Sequence, residues 1–259
     1  MKQEPCHVLL MSTSLIHFTE TDPSQSLLGL MGQELNDRHP EVEWRCSGDL
    51  LYISPSMPRR ATALIAKYKP DIAIVRPTSL TFMHDDVISA IRDRWPRLYG
   101  LALSLGERFR WLGGGLRWGG AGRRGLLFRV PRWIAVKLIG EAPPIRVELA
   151  TEYVKETLDG LLRLEDLRFS CHLAVGNDKT RLKPEEDVRR RDYFVESLRV
   201  YCRERLIPFS NARDVMQAKG ITYDYGADQW HTTMPYRLAE SEALAEIVAS
   251  VALPASRGA

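Results

Sequence analysis

Cysteine is scarce in this chain. There are four in 259 residues (Cys6, Cys46, Cys171 and Cys202), scattered so that no two have metal-ligand spacing. Such a pattern argues against a cysteine-held metal and predicts reduced, mostly buried thiols. Histidine offers no metal set either: His7, His17, His39, His84 and His172 lack partners at ligand spacing. His84-Asp85-Asp86 is the one loose cluster, and helix capping by Asp85 or Asp86 accounts for it better than a metal. No apolar run reaches the roughly 18 residues of a membrane span. The apolar stretch Val8–Met11 is too short for a signal-peptide core, so a cytoplasmic location is the default expectation. A net charge of +3 is too mild to imply a nucleic-acid partner.

What is present is an ordinary globular composition, 44% hydrophobic and 27% charged, at a length suited to a single α/β domain over 1–259. His7–Met11 is a short continuous apolar run, as expected of a strand buried on both faces. Ser26–Arg38 places Leu27, Leu28, Leu30, Met31 and Leu35 at helical spacing. Val42–Cys46 reads as a second strand, Pro58–Tyr68 as a helix, and Asp71–Val75 as a third buried strand. Further on come a helix over Ile145–Leu164, a strand over Arg168–Val175 and an amphipathic helix over Glu185–Arg205. A short strand near Ile207–Ser210 and a final helix over Pro235–Val251 complete the pattern. Alternation of this kind predicts parallel pairing with right-handed crossovers. The expected architecture is a doubly wound, three-layer α/β/α domain on a mostly five-stranded parallel sheet.

Residues 105–144 break the rhythm. They are rich in Gly and Arg, with Trp111, Trp118 and Trp133 interleaved and a short helix expected over Pro131–Ile139. No Gly-Lys-Ser/Thr ends the segment, so it is not a phosphate-binding loop. It reads as an insertion: first a solvated loop, second a basic, aromatic lid touching an anionic or lipid-like substrate or a membrane surface, and last a nucleic-acid contact.

In an open parallel sheet ligands bind beyond the carboxyl ends of the strands, so the loops there are the places to look for chemistry. The loop after the first strand holds Ser12-Thr13-Ser14. The loop after the second holds Ser47-Gly48-Asp49, and that after the third holds Arg76-Pro77-Thr78-Ser79-Leu80-Thr81. The last helix is preceded by Asp228-Gln229-Trp230-His231. A carboxylate three residues before an imidazole supplies the orienting anion and the base that serine attack on an ester needs. The same spacing also arises from a helix cap beside a surface histidine. Arg189-Arg190-Arg191-Asp192 reads as the solvated face of its helix.

These blocks, taken in order, resemble those of the SGNH (GDSL-type) hydrolases along nearly the whole chain outside the insertion. Val8-Leu9-Leu10-Met11-Ser12-Thr13-Ser14-Leu15 resembles the family's first block, an apolar strand followed by Gly-Asp-Ser-Leu. Ser12 and Thr13 stand where Gly and Asp are usual, which leaves Ser12 as a rival to Ser14. Arg45-Cys46-Ser47-Gly48-Asp49 resembles the second block, and Asp228-Gln229-Trp230-His231 matches the fifth. Lys69–Val75 resembles the strand leading to the family's Gly-x-Asn-Asp, but Thr78 holds the glycine position and Leu80 the asparagine position. Gly176-Asn177-Asp178 mimics that motif roughly a hundred residues too late, and reads as a polar turn.

The resemblance implies a serine esterase with Ser14 as nucleophile, His231 as base and Asp228 orienting it. It further implies an oxyanion hole from Ser14 and Gly48, with Thr78, Ser79 or Thr81 replacing the absent asparagine. No metal or organic cofactor is expected, and the partner is a small or acylated substrate. An acyltransferase on the same triad, or a ligand-binding protein without catalysis, are the other readings of the resemblance.

Overall fold

The computed structural model describes residues 5–12, 22–78, 87–98, 100, 137–138, 143, 145–174, 184–221 and 233–253. The chain divides into two compact units: Met1–Ser79 with Glu148–Ala259, and Leu80–Val147. The expected insertion at 105–144 falls within that second unit, and nearly all of it lies outside the described residues.

Five strands make the first unit's sheet: β1 (Cys6–Ser12), β2 (Trp44–Leu50), β3 (Ile72–Val75), β4 (Arg168–Leu173) and β5 (Phe209–Asn211). All pairs are parallel, in the order β2-β1-β3-β4-β5. The helices are α1 (Leu27–Arg38), α2 (Met57–Tyr68), α4 (Val147–Leu162), α5 (Pro184–Glu204), α6 (Ala212–Ala218) and α7 (Met234–Ala252). The second unit carries α3 (Val87–Arg94), tied to the residues before α4 by a 3.2 Å bond from Arg92 Nη2 to the Pro143 carbonyl.

Strand order decides the layers. The step from β1 to β2 runs opposite to the steps from β2 to β3, β3 to β4 and β4 to β5. With right-handed crossovers, α1 therefore lies on one face, and α2, α4 and α5 on the other. Contact of α7 with α1, β3 and β4 puts it on the α1 face. This is the α/β/α arrangement expected from sequence. The core on that face joins Val8, Leu10, Ile72 and Ile74 of the sheet to Leu27, Met31 and Leu35 of α1 and Leu244, Ala245 and Val248 of α7. Leu9, Met11, Ala73, Val75 and Cys171 alternate to the opposite face and are fully buried. All four cysteines are free thiols, Cys171 and Cys202 buried, Cys6 and Cys46 half-buried.

Two local devices fix element ends. The Ser26 hydroxyl accepts from the Gly29 amide at 3.0 Å and caps α1. At the other end of the sheet, Arg168 Nη1 donates to the Ala252 carbonyl at 2.9 Å, satisfying the last turn of α7. Among the described residues no helix is long and apolar enough to cross a membrane.

Candidate active site

The direction of α7 places its entrance. Its last turn is bound by Arg168, the first residue of β4, whereas Glu240, two turns from its start, meets His172 near the end of β4. The helix therefore runs antiparallel to the strands, and its N-terminus at Met234 lies toward their carboxyl ends. β1 reaches the same edge at Ser12, and Arg76 follows β3 there. Thr78 pairs with Ala174 two residues further out, and the Ala174 amide donates to the Pro77 carbonyl at 3.0 Å.

One row of polar side chains crosses the sheet just beneath this edge. Pairing sets Met11 beside Val75 and Val75 beside Cys171, so the next step sets Ser12 beside Arg76 and Arg76 beside His172. His172 in turn pairs with Ser210. Alternation turns all four toward the α7 face, and Glu240 of α7 enters the row from above. The Glu240 carboxylate accepts from Arg76 Nε at 3.0 Å and from Arg76 Nη2 at 2.7 and 2.9 Å. Arg76 Nη1 donates to the Ser12 hydroxyl at 2.9 Å. His172 Nε2 lies 2.9 Å from Glu240 Oε1, and His172 Nδ1 lies 2.6 Å from Ser210 Oγ.

Burial pushes the Glu240 carboxyl up, but the Arg76 charge and the hydrogen bonds from His172 and Arg76 outweigh it and hold the group below the usual glutamate range. Glu240 is thus an anion matched to Arg76. With the carboxylate ionised, His172 Nε2 carries a proton and donates it to this bond. The row is a satisfied floor of compensated charge under the carboxyl edge.

The residues expected from sequence fall unevenly on this frame. Ser14, Asp228 and His231 lie outside the described residues, as do Ser79, Thr81, His17, His84 and Asn177. Thr78 is buried and reaches the carboxyl edge. Gly48 does not. It is inside β2, opposite Leu10, because β2 runs to Leu50 instead of ending at Cys46. The Glu43 carbonyl accepts from the Cys6 amide and the Leu51 amide donates to the Ser12 carbonyl, so odd-numbered residues of β2 bond to β1. The Gly48 amide is therefore directed to the sheet's free edge, away from β1. Ser12, the rival nucleophile, is fully buried with its hydroxyl held by Arg76, which makes it an internal acceptor and not an exposed nucleophile.

Arg76, His172, Ser210 and Glu240 were not singled out for chemistry in the sequence. A signal for Glu240 is there: it stands in the stripe Tyr236, Glu240, Leu244, Val248, an ionisable residue on a buried helix face. No group of three or more metal-ligating side chains occurs among the described residues.

No protein-family model matches the chain, and no curated protein matches it in sequence. Solved structures do match in fold. The carbohydrate acetylesterase Est24 from Sinorhizobium meliloti is 12% identical with a TM-score of 0.52, over 94% of this chain and 98% of that one. A catalytic mutant of the acetylxylan esterase Axe2 from Geobacillus stearothermophilus is 11% identical with a TM-score of 0.53, over 96% of each chain. A G-D-S-L family protein from Desulfitobacterium hafniense DCB-2 is 11% identical with a TM-score of 0.51, over 93% of this chain and 99% of that one. At these identities the likeness is one of fold alone: this chain shares the α/β/α fold of these two esterases and of the G-D-S-L family protein.

Proposed function

We propose that this chain is a serine ester hydrolase in which Ser14 is the nucleophile, His231 the general base and Asp228 the group that orients His231. The observation that carries the reading is the common edge. β1 ends two residues before Ser14, and α7, running antiparallel to the strands, begins three residues after His231 at the same end of the sheet. A sheet with this strand order presents its chemistry there.

The reaction follows from the roles. Ser14 Oγ attacks the ester carbonyl carbon while His231 takes the hydroxyl proton, and Asp228 stabilises the imidazolium. The tetrahedral oxyanion is held by the Ser14 amide and by a donor from the 78–81 segment, where Thr78 stands at the edge. Collapse expels the alcohol, which receives the proton from His231. Water then attacks the acyl-serine by the same route and releases the carboxylic acid. Because Leu80 replaces an amide side chain, turnover is expected to be slow: loss of one oxyanion donor costs about 10²–10³ in rate. Two proteins of like fold act on acetylated carbohydrates, so a short acyl ester on a sugar is the first substrate class to assay.

A fluorophosphonate probe tests the assignment. Labelling at Ser14, lost together with p-nitrophenyl acetate hydrolysis in Ser14→Ala, is the expected result. Labelling at Ser210, the serine hydrogen-bonded to His172, or full activity in Ser14→Ala, overturns it.

A further inference from the structure

We propose that the buried Arg76–Glu240–His172 network is a positioning device for the triad. This rests on the hydrolase reading above. A single carboxylate joins the end of β3, the end of β4 and α7, and through Arg76 it also holds Ser12. Ser12 is two residues before Ser14. Glu240 is six residues into α7, about 9 Å along its axis from Met234, and Met234 is three residues beyond His231. β1 and α7, the elements that flank Ser14 and His231 in sequence, thus meet at one anchored group.

The contrast with the rest of the face shows why stability alone does not account for it. The deeper layers between the sheet and α7 are mainly apolar, with Leu10, Ile74, Leu244 and Val248 among them and the Ser170 hydroxyl as an uncharged exception beside Ile74. Among the described residues of this face, buried charge enters only in the last row before the carboxyl edge, at Arg76 and Glu240. Apolar packing would serve stability there as well, since replacing a buried ion pair by hydrophobic groups is often neutral or stabilising. Apolar contacts are non-directional and let a helix shift along a sheet. The forked guanidinium–carboxylate contact, with His172 on the other side of Oε1, admits one axial position for α7. A serine triad needs that precision, because a displacement near 1 Å costs about 10²-fold in rate.

Arg76, Glu240 and His172 are therefore positioning residues, and two variants of the full chain test the role. Glu240→Gln keeps the shape and removes the charge. Arg76→Met/Glu240→Leu replaces the pair with apolar groups. Each is measured beside wild type and Ser14→Ala for Tm, for kcat and KM on p-nitrophenyl acetate, and for the fluorophosphonate labelling rate. In folded variants kcat is expected to fall about 10²-fold and labelling to slow in parallel, with KM changed by no more than about threefold. The double variant is expected to melt close to wild type yet remain slow. The proposal is overturned if the folded variants keep wild-type kcat and labelling, or if kcat recovers in the double variant together with Tm. It is also overturned if neither variant folds, which assigns the network to folding alone. Full activity in Ser14→Ala instead sinks the hydrolase reading. A silent Ser14→Ala beside wild-type network variants sinks only this inference.

Discussion

Arg76 and Glu240, separated by 164 positions in sequence, form an ion pair with three contacts of 2.7–3.0 Å and side chains 1% exposed. The two charges meet inside the core, so removing one leaves its partner buried without this counter-charge. Glu240→Ala and Arg76→Ala are each expected to lower unfolding free energy by about 3–5 kcal/mol. Urea unfolding at neutral pH measures this. A cost below about 1 kcal/mol for Glu240→Ala, the range of exposed pairs, would mean that water reaches the pair.

Acid should weaken the fold through the same carboxylate. Glu240 titrates below its ordinary value of 4.5 in the folded chain, the charge and bonds of Arg76 and His172 outweighing desolvation. The unfolded state therefore binds the proton at higher pH than the folded state does. The stabilisation from Glu240 is complete above 4.5 and is lost as pH falls through the folded value. Asp49, where hydrogen bonds from Lys67, the Leu50 amide and Tyr68 outweigh its desolvation and hold it low, adds a slope of the same sign. Unfolding free energy measured at steps below pH 5 is expected to decline less steeply in Glu240→Gln than in wild type. Parallel curves would remove Glu240 from the linkage.

A buried hydroxyl nearby carries the opposite expectation. Ser170 is fully buried on β4 beside Ile74, and its Oγ has no hydrogen-bond partner among the described residues. An unsatisfied buried polar group costs about 1–3 kcal/mol. Ser170→Ala removes that penalty while deleting one atom, and should raise stability by about 1 kcal/mol. Destabilisation of that size in the same urea experiment would show that the hydroxyl has a partner in solution.

Much of this architecture was legible in the sequence because apolar periodicity follows burial. The runs at Val8–Met11 and Ile72–Val75 alternate with helices whose inner faces read clearly, and their strands and helices appear within a few residues of expectation. β2 ran past its expected end because pairing with β1 requires no apolar side chains on an edge strand, so Ser47, Gly48 and Asp49 extend it. The short helix α6 was missed because its start depends on the Asn211 side chain accepting from the Arg213 amide, a cap invisible to periodicity. The polar row was missed for a different reason. Ser12, Arg76, His172, Ser210 and Glu240 lie on separate segments, and only strand register brings them together. His172, weighed in the sequence only as a lone histidine, acquires its meaning from Glu240, 68 residues away. The triad itself rests on sequence blocks, and the fold contributes the common edge from which those blocks depart.

The end of α5 offers a prediction independent of the site. Leu206 has φ of 55°, in the left-handed region, and its side chain is 89% exposed. The backbone around it closes the helix: the Ile207 amide donates to the Cys202 carbonyl at 2.9 Å, while Ile207 itself is buried. This is the geometry in which glycine is preferred, since a Cβ is strained there. The exposed leucine buries too little surface to offset that strain. Glycine loses more chain entropy on folding, which trims the gain. Leu206→Gly is therefore expected to stabilise the chain by about 0.5–1 kcal/mol, read as a rise in the urea midpoint without a change in slope. A fall in the midpoint would mean that the Leu206 side chain is packed in solution, against a second copy of the chain or another partner, and concentration dependence of the midpoint would identify the former.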